Sequence, residues 1–343
     1  MKRFLKYAIT IIVVMILVPM TANAQTIKRN QKPKTEQTQK NNKSKKNSKT
    51  LSKSTKTDKE KSNNSSSSKN NRGQKTVKEF NESGKRGIQA AKDKAAEAAQ
   101  RVADELSGPD IKTITVNGVT FDMIWVEGGT FMMGATKEIG DEASIDEKPV
   151  HKVTLTSFYI SRYEVTQELW VAIMGHNPSK FQGDLNKPVE QVSWNDCQVF
   201  IRKLNSITGK RFRLPTEAEW EFAARGGNKS QGCRYAGCNA IYSIAWYCDN
   251  SYGNTHPVGV KAPNELGLYD MSGNVWEWCE DWYGDYHSSD QTNPTGPFSG
   301  TSRVGRGGSW FSFSEGCRVS IRNDIAPDAS DDNLGLRLAA SSF

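Results

Sequence analysis

The feature that most restricts the fold of this 343-residue chain is an aromatic run at residues 267–283. Its three tryptophans, Trp276, Trp278 and Trp282, stand two and four positions apart among glycine, asparagine and acidic residues. This spacing fits neither the 3.6-residue period of a helix face nor the alternation of a strand. We therefore predict an irregular loop that packs around its tryptophans.

The same run offers oxygen ligands for a cation. Asp270 and Glu277 bracket a turn, and the backbone carbonyls of Gly273 and Val275 can converge with both carboxylates on a hard ion such as Ca²⁺. On spacing alone, a turn whose acidic side chains are merely solvated is the simpler interpretation.

The charge of the chain is divided between two regions. The first 75 residues contain 19 Lys and Arg against 3 Asp and Glu, which gives +16. Since the whole chain carries +8, residues 76–343 carry −8. A nucleic-acid-binding domain needs its positive charge on the folded surface, so this class is excluded. The basic tail remains able to bind an anionic surface polymer.

The N-terminal region predicts export. Residues 1–24 combine early basic residues, an apolar run and a small-residue cleavage site, as in a signal peptide. An uncleaved membrane anchor is the alternative. Residues 25–75 are too polar to fold and are predicted to be disordered, and residues 76–107 are predicted to form an amphipathic helix. We expect a periplasmic, cell-surface or secreted protein whose six cysteines are candidates for disulfides.

The folded domain is predicted to span residues 111–343. Turn signals separate predicted strands at 113–116, 119–126 and 130–133, and alternation predicts another at 150–160. Thr166, Ser193 and Thr216 are predicted N-caps of helices at 167–174, 194–206 and 217–225. After residue 226 regular patterns become sparse, with short strands predicted only at 303–310 and 334–338. The fold class is thus α+β with little regular secondary structure.

Seven phrases occur in an order that is specific to one family. They are WVEGGTFMMG (125–134), YEVT (163–166), VSWND (192–196), RLPTEAEWE (213–221), GNVWEW (273–278), RGGSW (306–310) and GLR (335–337). Residues 115–340 resemble the sulfatase-modifying-factor family, whose founding member is the formylglycine-generating enzyme. The resemblance implies an elaborated C-type-lectin-like fold with structural calcium. It assigns Asp270, Gly273, Val275 and Glu277 to one calcium site, and Glu147 matches a further acidic calcium position.

The resemblance also locates a possible reaction centre. The generating enzyme uses two cysteines five residues apart to bind Cu(I) and oxidise a substrate cysteine with O₂. Here the second cysteine is Cys317, but Ser312 occupies the first position. A serine hydroxyl is a hard, protonated group and a poor ligand for Cu(I). We therefore expect no copper-dependent oxidase reaction, and we interpret Cys317 as a structural thiol or disulfide.

Other cysteine and histidine patterns give little support for catalysis. Cys233 and Cys238 are spaced for a small bridged loop, and pairs Cys248–Cys279 and Cys197–Cys317 are further possibilities, although six cysteines allow fifteen connectivities. The four histidines are scattered without a metal-binding spacing, so that no catalytic metal motif is recognised.

Recognition is the remaining function. The resemblance places the segment after Gly308 on an exposed surface, and Phe311, Phe313, Glu315 and Arg318 are candidate ligand contacts because aromatic rings beside charges provide stacking area and directional bonds. We expect an exported module that binds a peptide, a glycan or an envelope partner. The alternative is an oxygen-dependent oxidoreductase of the formylglycine-generating type that acts on exported polypeptides such as sulfatases.

Overall fold

The computed structural model describes residues 86, 89–92, 94–95 and 110–343. The predicted signal peptide, the segment up to residue 75 and most of the predicted helix at 76–107 lie outside these residues. The described positions between 86 and 95 are helical. Across the described part of the chain, no helix has both the length and the apolar composition that a membrane crossing needs.

One sheet joins the beginning of the domain to its end. Its strands are β1 (Ile111–Val116), β2 (Val119–Val126), β5 (Phe158–Ser161), β6 (Phe212–Arg213) and β12 (Ala339–Ala340). They pair antiparallel in the order β1-β2-β5-β12-β6. Asn117 and Gly118 both have positive φ, 47° and 82°, which is the backbone of a two-residue hairpin whose twist matches that of the strands.

The helices begin where local capping chemistry predicts. They are α1 (Gln167–Met174), α2 (Trp194–Thr208), α3 (Glu217–Ala224) and the short α4 (Ile241–Ile244). Thr166, Ser193 and Thr216 each accept a hydrogen bond from the backbone N–H three residues on, which satisfies a donor that the helix leaves free. The three predicted helices are confirmed to within two residues at their ends.

The prediction of an irregular loop was wrong for the second half of the aromatic run. Residues Trp276–Trp282 form β7, an inner strand of a second sheet that also contains β9 (Arg303–Arg306), β10 (Arg322–Ile325) and β11 (Leu334–Leu336) in the order β10-β9-β7-β11. Trp278 and Cys279 are both buried on successive positions. Because β7 is covered on both faces, it does not show the polar alternation of a half-buried strand.

A third sheet corrects another prediction. The expected single strand at 150–160 is broken into β4 (His151–Leu155), which pairs with β3 (Gly129–Met133) and β8 (Gln291–Thr292), and β5 of the first sheet. Between them the N–H of Thr156 donates to Asn293 Oδ1 at 2.8 Å, and Ser157 Oγ accepts the N–H of Gly128 at 2.9 Å. The two-residue break lets one apolar stretch supply two sheets.

Buried ion pairs connect arginines of the C-terminal third to glutamates of preceding elements, three of which lie outside this third. Four arginines of this third are each at most 6% exposed, and each contacts a glutamate. The pairs are Arg306–Glu221, Arg318–Glu147, Arg322–Glu217 and Arg337–Glu277. Since the strands of this third are short, the first three pairs supply connections that backbone pairing does not, and Arg337–Glu277 reinforces the pairing of β11 with β7.

Candidate functional site

A tight turn positions the segment that contains Ser312 and Cys317. Strand β9 ends at Arg306, earlier than predicted, and Gly307 and Gly308 then adopt positive φ values of 97° and 75°. A Cβ on Gly308 would lie 2.3 Å from the carbonyl oxygen of Gly316 and 2.9 Å from Cys317 Sγ. Only glycine permits this close return of the chain, so the turn places residue 308 against the thiol of Cys317.

A backbone hydrogen bond holds the Ser312 side chain in place, and Ser312 lies beside Cys317 in the folded chain. Its Oγ accepts the N–H of Ser309 at 3.0 Å. A Cβ on Gly316, the neighbour of Cys317, would lie 3.2 Å from Ser312 Cβ. Cys317 itself is fully buried. The hydroxyl of Ser312 and the thiol of Cys317 therefore lie close together. These are the two positions that the family resemblance assigns to copper-binding cysteines.

A second thiol, which the sequence analysis did not associate with Cys317, approaches from another segment. The N–H of Cys248 donates to the carbonyl oxygen of Ser312 at 3.0 Å. Cys248 is partly exposed and packs against the small apolar cluster that contains Cys317. Burial, together with the nearby Cys248 and Glu315 side chains, raises the pKa of the Cys317 thiol to about 12.

The predicted disulfides are not formed. All six cysteines, which lie within residues 110–343, are free. Cys197 and Cys279 are buried in two other apolar clusters, apart from the cluster that holds Cys248 and Cys317. The pairings Cys197–Cys317 and Cys248–Cys279 are therefore wrong. Cys233 and Cys238 lie close enough for a charge on one to raise the pKa of the other, but they are not bonded.

Exposed aromatic rings flank these thiols. Phe311 is 69% exposed and Phe313 is 73% exposed. Trp310, which follows the glycine turn, instead packs edge-on against Phe181 with the ring centroids 5.3 Å apart. Tyr252, 87% exposed, lies on a segment joined to this one, since its neighbour Ser251 donates to the carbonyl oxygen of Trp310 at 2.8 Å. We call Phe311, Phe313, Glu315 and Tyr252 the aromatic surface. Sequence analysis missed Tyr252 because nothing local connects it to residue 310.

Arg318 does not lie on the exposed surface predicted for it. Arg318 is 2% exposed and its guanidinium pairs with the Glu147 carboxylate at 2.8 Å. Glu147 is fully buried and also accepts the N–H of Ser144 at 2.8 Å and the hydroxyl of Ser320. Arg318 is thus not a surface contact. Glu147 forms this ion pair, and its assignment to a calcium site stays a prediction.

Asp270 has an oxygen without a partner. Asp270 Oδ2 accepts the N–H of Gly259 at 2.7 Å, whereas Oδ1 is buried and has no hydrogen-bond donor. Glu277, seven residues on, accepts from Arg337 Nη2 at 2.7 Å and from Trp220 Nε1 at 2.6 Å. Arg337 is fully buried. A buried carboxylate oxygen without a donor is costly unless a cation or water satisfies it.

A third carboxylate joins this group from the YEVT motif. Glu164 accepts Asn274 Nδ2 at 2.6 Å and the N–H of Val275 at 3.1 Å. Burial and the nearby Asp270 and Glu277 charges raise the pKa of Glu164 well above its usual value. Burial, with Glu277 nearby, raises the pKa of Asp270 to about 6.

Three carboxylates therefore face one guanidinium, that of Arg337. Across the described residues, no three His, Cys, Asp or Glu side chains converge closely enough to hold a metal by themselves. A cation at Asp270 would need backbone carbonyls such as those of Gly273 and Val275 in addition. Sequence analysis did not associate Glu164 with Asp270, because the two residues lie more than a hundred positions apart.

A separate cavity contains none of the predicted site residues. Its volume is about 430 Å³, and its lining includes Glu217, Asp281, Tyr286 and Arg322. The Glu217 carboxylate is already matched by Arg322 at 2.6 Å, and Asp281 accepts the N–H of Glu217 at 3.0 Å. The polar groups of this cavity thus mainly satisfy one another.

The three-sheet α+β architecture and the glycine turn beside Cys317 characterise the class of protein to which this chain belongs. The model of the sulfatase-modifying factor enzyme 1-like domain matches residues 109–342, and the chain belongs to this family. Chaperone protein LppX of Paenibacillus barcinonensis is 34% identical, with 65% of this chain and 90% of that protein covered. Formylglycine-generating enzyme of Mus musculus is 31% identical over 71% of this chain and 81% of its own length.

Solved structures agree with the family. Treponema denticola variable protein 1 superposes with a TM-score of 0.63 at 35% identity and covers 68% of this chain and 100% of its own. PvdO from Pseudomonas aeruginosa superposes with a TM-score of 0.58 at 28% identity and covers 68% and 99%. The predicted formylglycine-generating-enzyme fold is thus confirmed for the described domain.

Proposed function

We propose that this domain is a polypeptide-binding module that uses the aromatic surface and lacks the copper-dependent formylglycine-generating reaction. The observation behind the proposal is the exposure of Phe311 and Phe313 on a segment that is fixed at both ends. Two phenyl rings on positions two residues apart, at 69% and 73% exposure, mark this segment as a surface that a partner can cover.

Three further features support a polypeptide partner. Exposed Glu315 and the backbone groups around it offer hydrogen bonds beside the rings, so that the surface has both stacking area and polar contacts. Ser312 supplies a hydroxyl where two-thiolate copper binding in the same segment needs sulfur. In addition, one relative bears the name chaperone protein and others the name formylglycine-generating enzyme.

The test uses reduced, carboxymethylated lactalbumin as an unfolded polypeptide probe and measures binding by fluorescence anisotropy. We expect the parent protein to bind the probe and the double variant Phe311→Ala/Phe313→Ala to bind it at least about tenfold more weakly, because each buried aromatic contact contributes more than 1 kcal/mol. Phe298→Ala is the matched control, since Phe298 is fully exposed on another loop. Equal binding by the double variant, or no binding by the parent, would reject the proposal.

We also propose that the domain holds a structural Ca²⁺ at Asp270. The fit rests on the partnerless Asp270 Oδ1 and on the excess of carboxylates over guanidinium groups. A carboxylate can accept a hydrogen bond and bind a cation at once because it has about four lone-pair sites. Asp270 and Glu277 would supply carboxylate oxygens, and Gly273 and Val275 backbone oxygens. Calcium in this role would stabilise the fold and take no part in chemistry.

Oxygen-dependent oxidation of an exported polypeptide is the second candidate function. It is favoured by the formylglycine-generating relatives and by the retained, buried Cys317. The copper-loaded protein and a peptide with a Cys-x-Pro-x-Arg core provide the test. Oxygen uptake together with aldehyde formation would establish the oxidase activity and would contradict the proposal that the domain lacks it.

We further propose that the chain is exported, on the basis of residues 1–24.

A further inference from the structure

The cavity beside Asp281 has the size of a small-molecule site. Its volume is about 430 Å³, within the range of about 300–1,000 Å³ that ligand pockets occupy. The apolar side chains of its lining include Met133, Ala218, Trp282 and Pro297. None of the described lining residues belongs to the aromatic surface or to the proposed calcium site, so a ligand bound here occupies an independent site.

Asp281 lines this cavity as a carboxylate without a counterion. It is 4% exposed, and its Oδ2 accepts the N–H of Glu217 at 3.0 Å. Among residues 110–343 no lysine or arginine forms an ion pair with it. Burial, together with the nearby Glu217, Glu219 and Glu280 carboxylates, raises the pKa of Asp281 well above its usual value. An ionised carboxyl in such a place destabilises the folded chain, so stability does not account for this residue.

The other charged groups of the cavity leave Asp281 uncompensated. Arg322 is the one arginine in the lining within the described domain. All three of its guanidinium nitrogens already donate, Nε and Nη2 to Glu217 and Nη1 to the carbonyl oxygen of Asp146. Asp285 adds a third carboxylate at an exposed lining position. Three carboxylates against one occupied guanidinium favour a cationic ligand over an anion.

His151 provides a second hydrogen-bond acceptor. It is 2% exposed, and its Nδ1 lies 3.1 Å from the carbonyl oxygen of Pro149. Because this hydrogen bond needs a proton on Nδ1, the neutral imidazole has its lone pair on Nε2. The ring packs edge-on against Tyr286, which also lines the cavity, with the centroids 4.8 Å apart. An ammonium group has three N–H donors and no acceptor, so it matches a carboxylate and an imidazole lone pair.

We propose that this cavity binds a small aliphatic amine in its ammonium form, with Asp281 as the counterion and His151 as a second acceptor. The apolar side chains around Trp282 cover the carbon chain of the ligand. Binding is noncovalent, and it pairs a carboxylate that the protein itself leaves without a cation. The site does not depend on polypeptide binding at the aromatic surface.

The experiment is a saturation-transfer NMR titration of the full chain with cadaverine, a diamine, and with the diol of the same chain length. We expect the parent protein to bind cadaverine and to bind the uncharged diol much more weakly. Asp281→Asn is expected to weaken cadaverine binding by about 10- to 100-fold, because a charge-assisted hydrogen bond is replaced by a neutral one. The melting temperature of this variant should equal or exceed that of the parent, since the amide oxygen still accepts the N–H of Glu217 and the buried charge is gone.

Asp290→Asn is the matched control, because Asp290 is an exposed carboxylate outside the cavity lining. It is expected to keep the parent affinity, as is Phe311→Ala/Phe313→Ala, which separates this site from the aromatic surface. Thr295→Trp narrows the cavity at an exposed lining position without changing a buried group, and it should also weaken binding. Unchanged binding by Asp281→Asn would overturn the proposal. So would equal affinity for the diamine and the diol, or no binding of cadaverine by the parent.

Discussion

At the scale of single residues, buried carboxylates of this domain are matched by buried guanidinium groups. Glu217 shows the principle: although burial raises its pKa, the guanidinium groups of Arg322 and Arg306 outweigh that effect and hold the pKa below its usual value. Tyr286 adds a hydroxyl hydrogen bond at 3.1 Å. A buried pair of this kind need not stabilise more than an apolar pair would, but removal of one partner leaves the other uncompensated.

Glu217→Gln is therefore expected to lower the free energy of unfolding by about 3–5 kcal/mol at pH 7. Because the folded-state pKa of Glu217 lies below the unfolded value, the parent's advantage is present above the unfolded pKa. It is lost as the pH falls through the folded pKa. Urea unfolding of both proteins from pH 7 down to the acid limit measures this. Glu127→Gln, on an exposed turn, is the control and should change little. A difference that stayed constant in acid would contradict the assignment.

Asp270 gives a second prediction at this scale. Ca²⁺ is expected to raise the melting temperature of the parent, and chelation to lower it, because an ion that binds only the folded state stabilises it by mass action. Asp270→Asn keeps the volume of the side chain but removes its charge, and it should abolish most of the calcium response. Asp290→Asn, on an exposed side chain, should retain it. An equal response in both variants would place any calcium elsewhere.

At the scale of elements, the helices are determined locally. The N-cap Ser193 accepts the N–H of Asp196 at 3.1 Å, and the Asp196 carboxylate accepts the N–H of Ser193 at 3.0 Å. These reciprocal bonds join residues three apart, so sequence alone predicts where α2 starts. By contrast, β7 is a strand because β9 and β11 cover its edges, and those partners lie far along the chain.

Ser193→Ala is expected to cost about 1 kcal/mol of stability, because a backbone N–H in the first turn of α2 loses its hydrogen-bond acceptor. Ser206→Ala, at an exposed position near the other end of α2, should be neutral within about 0.5 kcal/mol. Chemical denaturation with an unchanged m-value provides the comparison. A loss of the same size at both serines would show that the cap is not the cause.

The candidate site could be predicted only where its parts are consecutive. The Asp270–Glu277 turn and the pair Ser312 and Cys317 are each local, and the sequence located them. The Gly307–Gly308 turn falls inside the strand predicted at 303–310 and was not predicted. Glu164 and Cys248 reach the site through tertiary packing, which no local pattern records. Arg318 was misplaced for the same reason, because its partner Glu147 lies in an early loop.

At the scale of the whole molecule, the uneven charge predicts a separable electrostatic activity. Residues 1–75 carry +16 and the remainder −8, so the positive field belongs to the tail. We expect the chain to bind vesicles that contain anionic phospholipid, and deletion of residues 25–75 to abolish most of that binding. Sedimentation at rising salt measures it, since surface charges are screened within about 8–10 Å at 0.1–0.15 M. Vesicles of neutral lipid are the control, and salt-independent binding would contradict the electrostatic origin.

Two buried arginines bracket the partly exposed residues 311–316 in the sequence. Arg306 precedes residues 311–316 and Arg318 follows them, and each is anchored to a glutamate of an earlier element. Substitutions at the exposed positions Phe311, Phe313 and Glu315 between these anchors alter what the domain displays without loosening what holds it together. Descendants of such a chain can therefore acquire new binding preferences through a handful of codons while their folding remains the same.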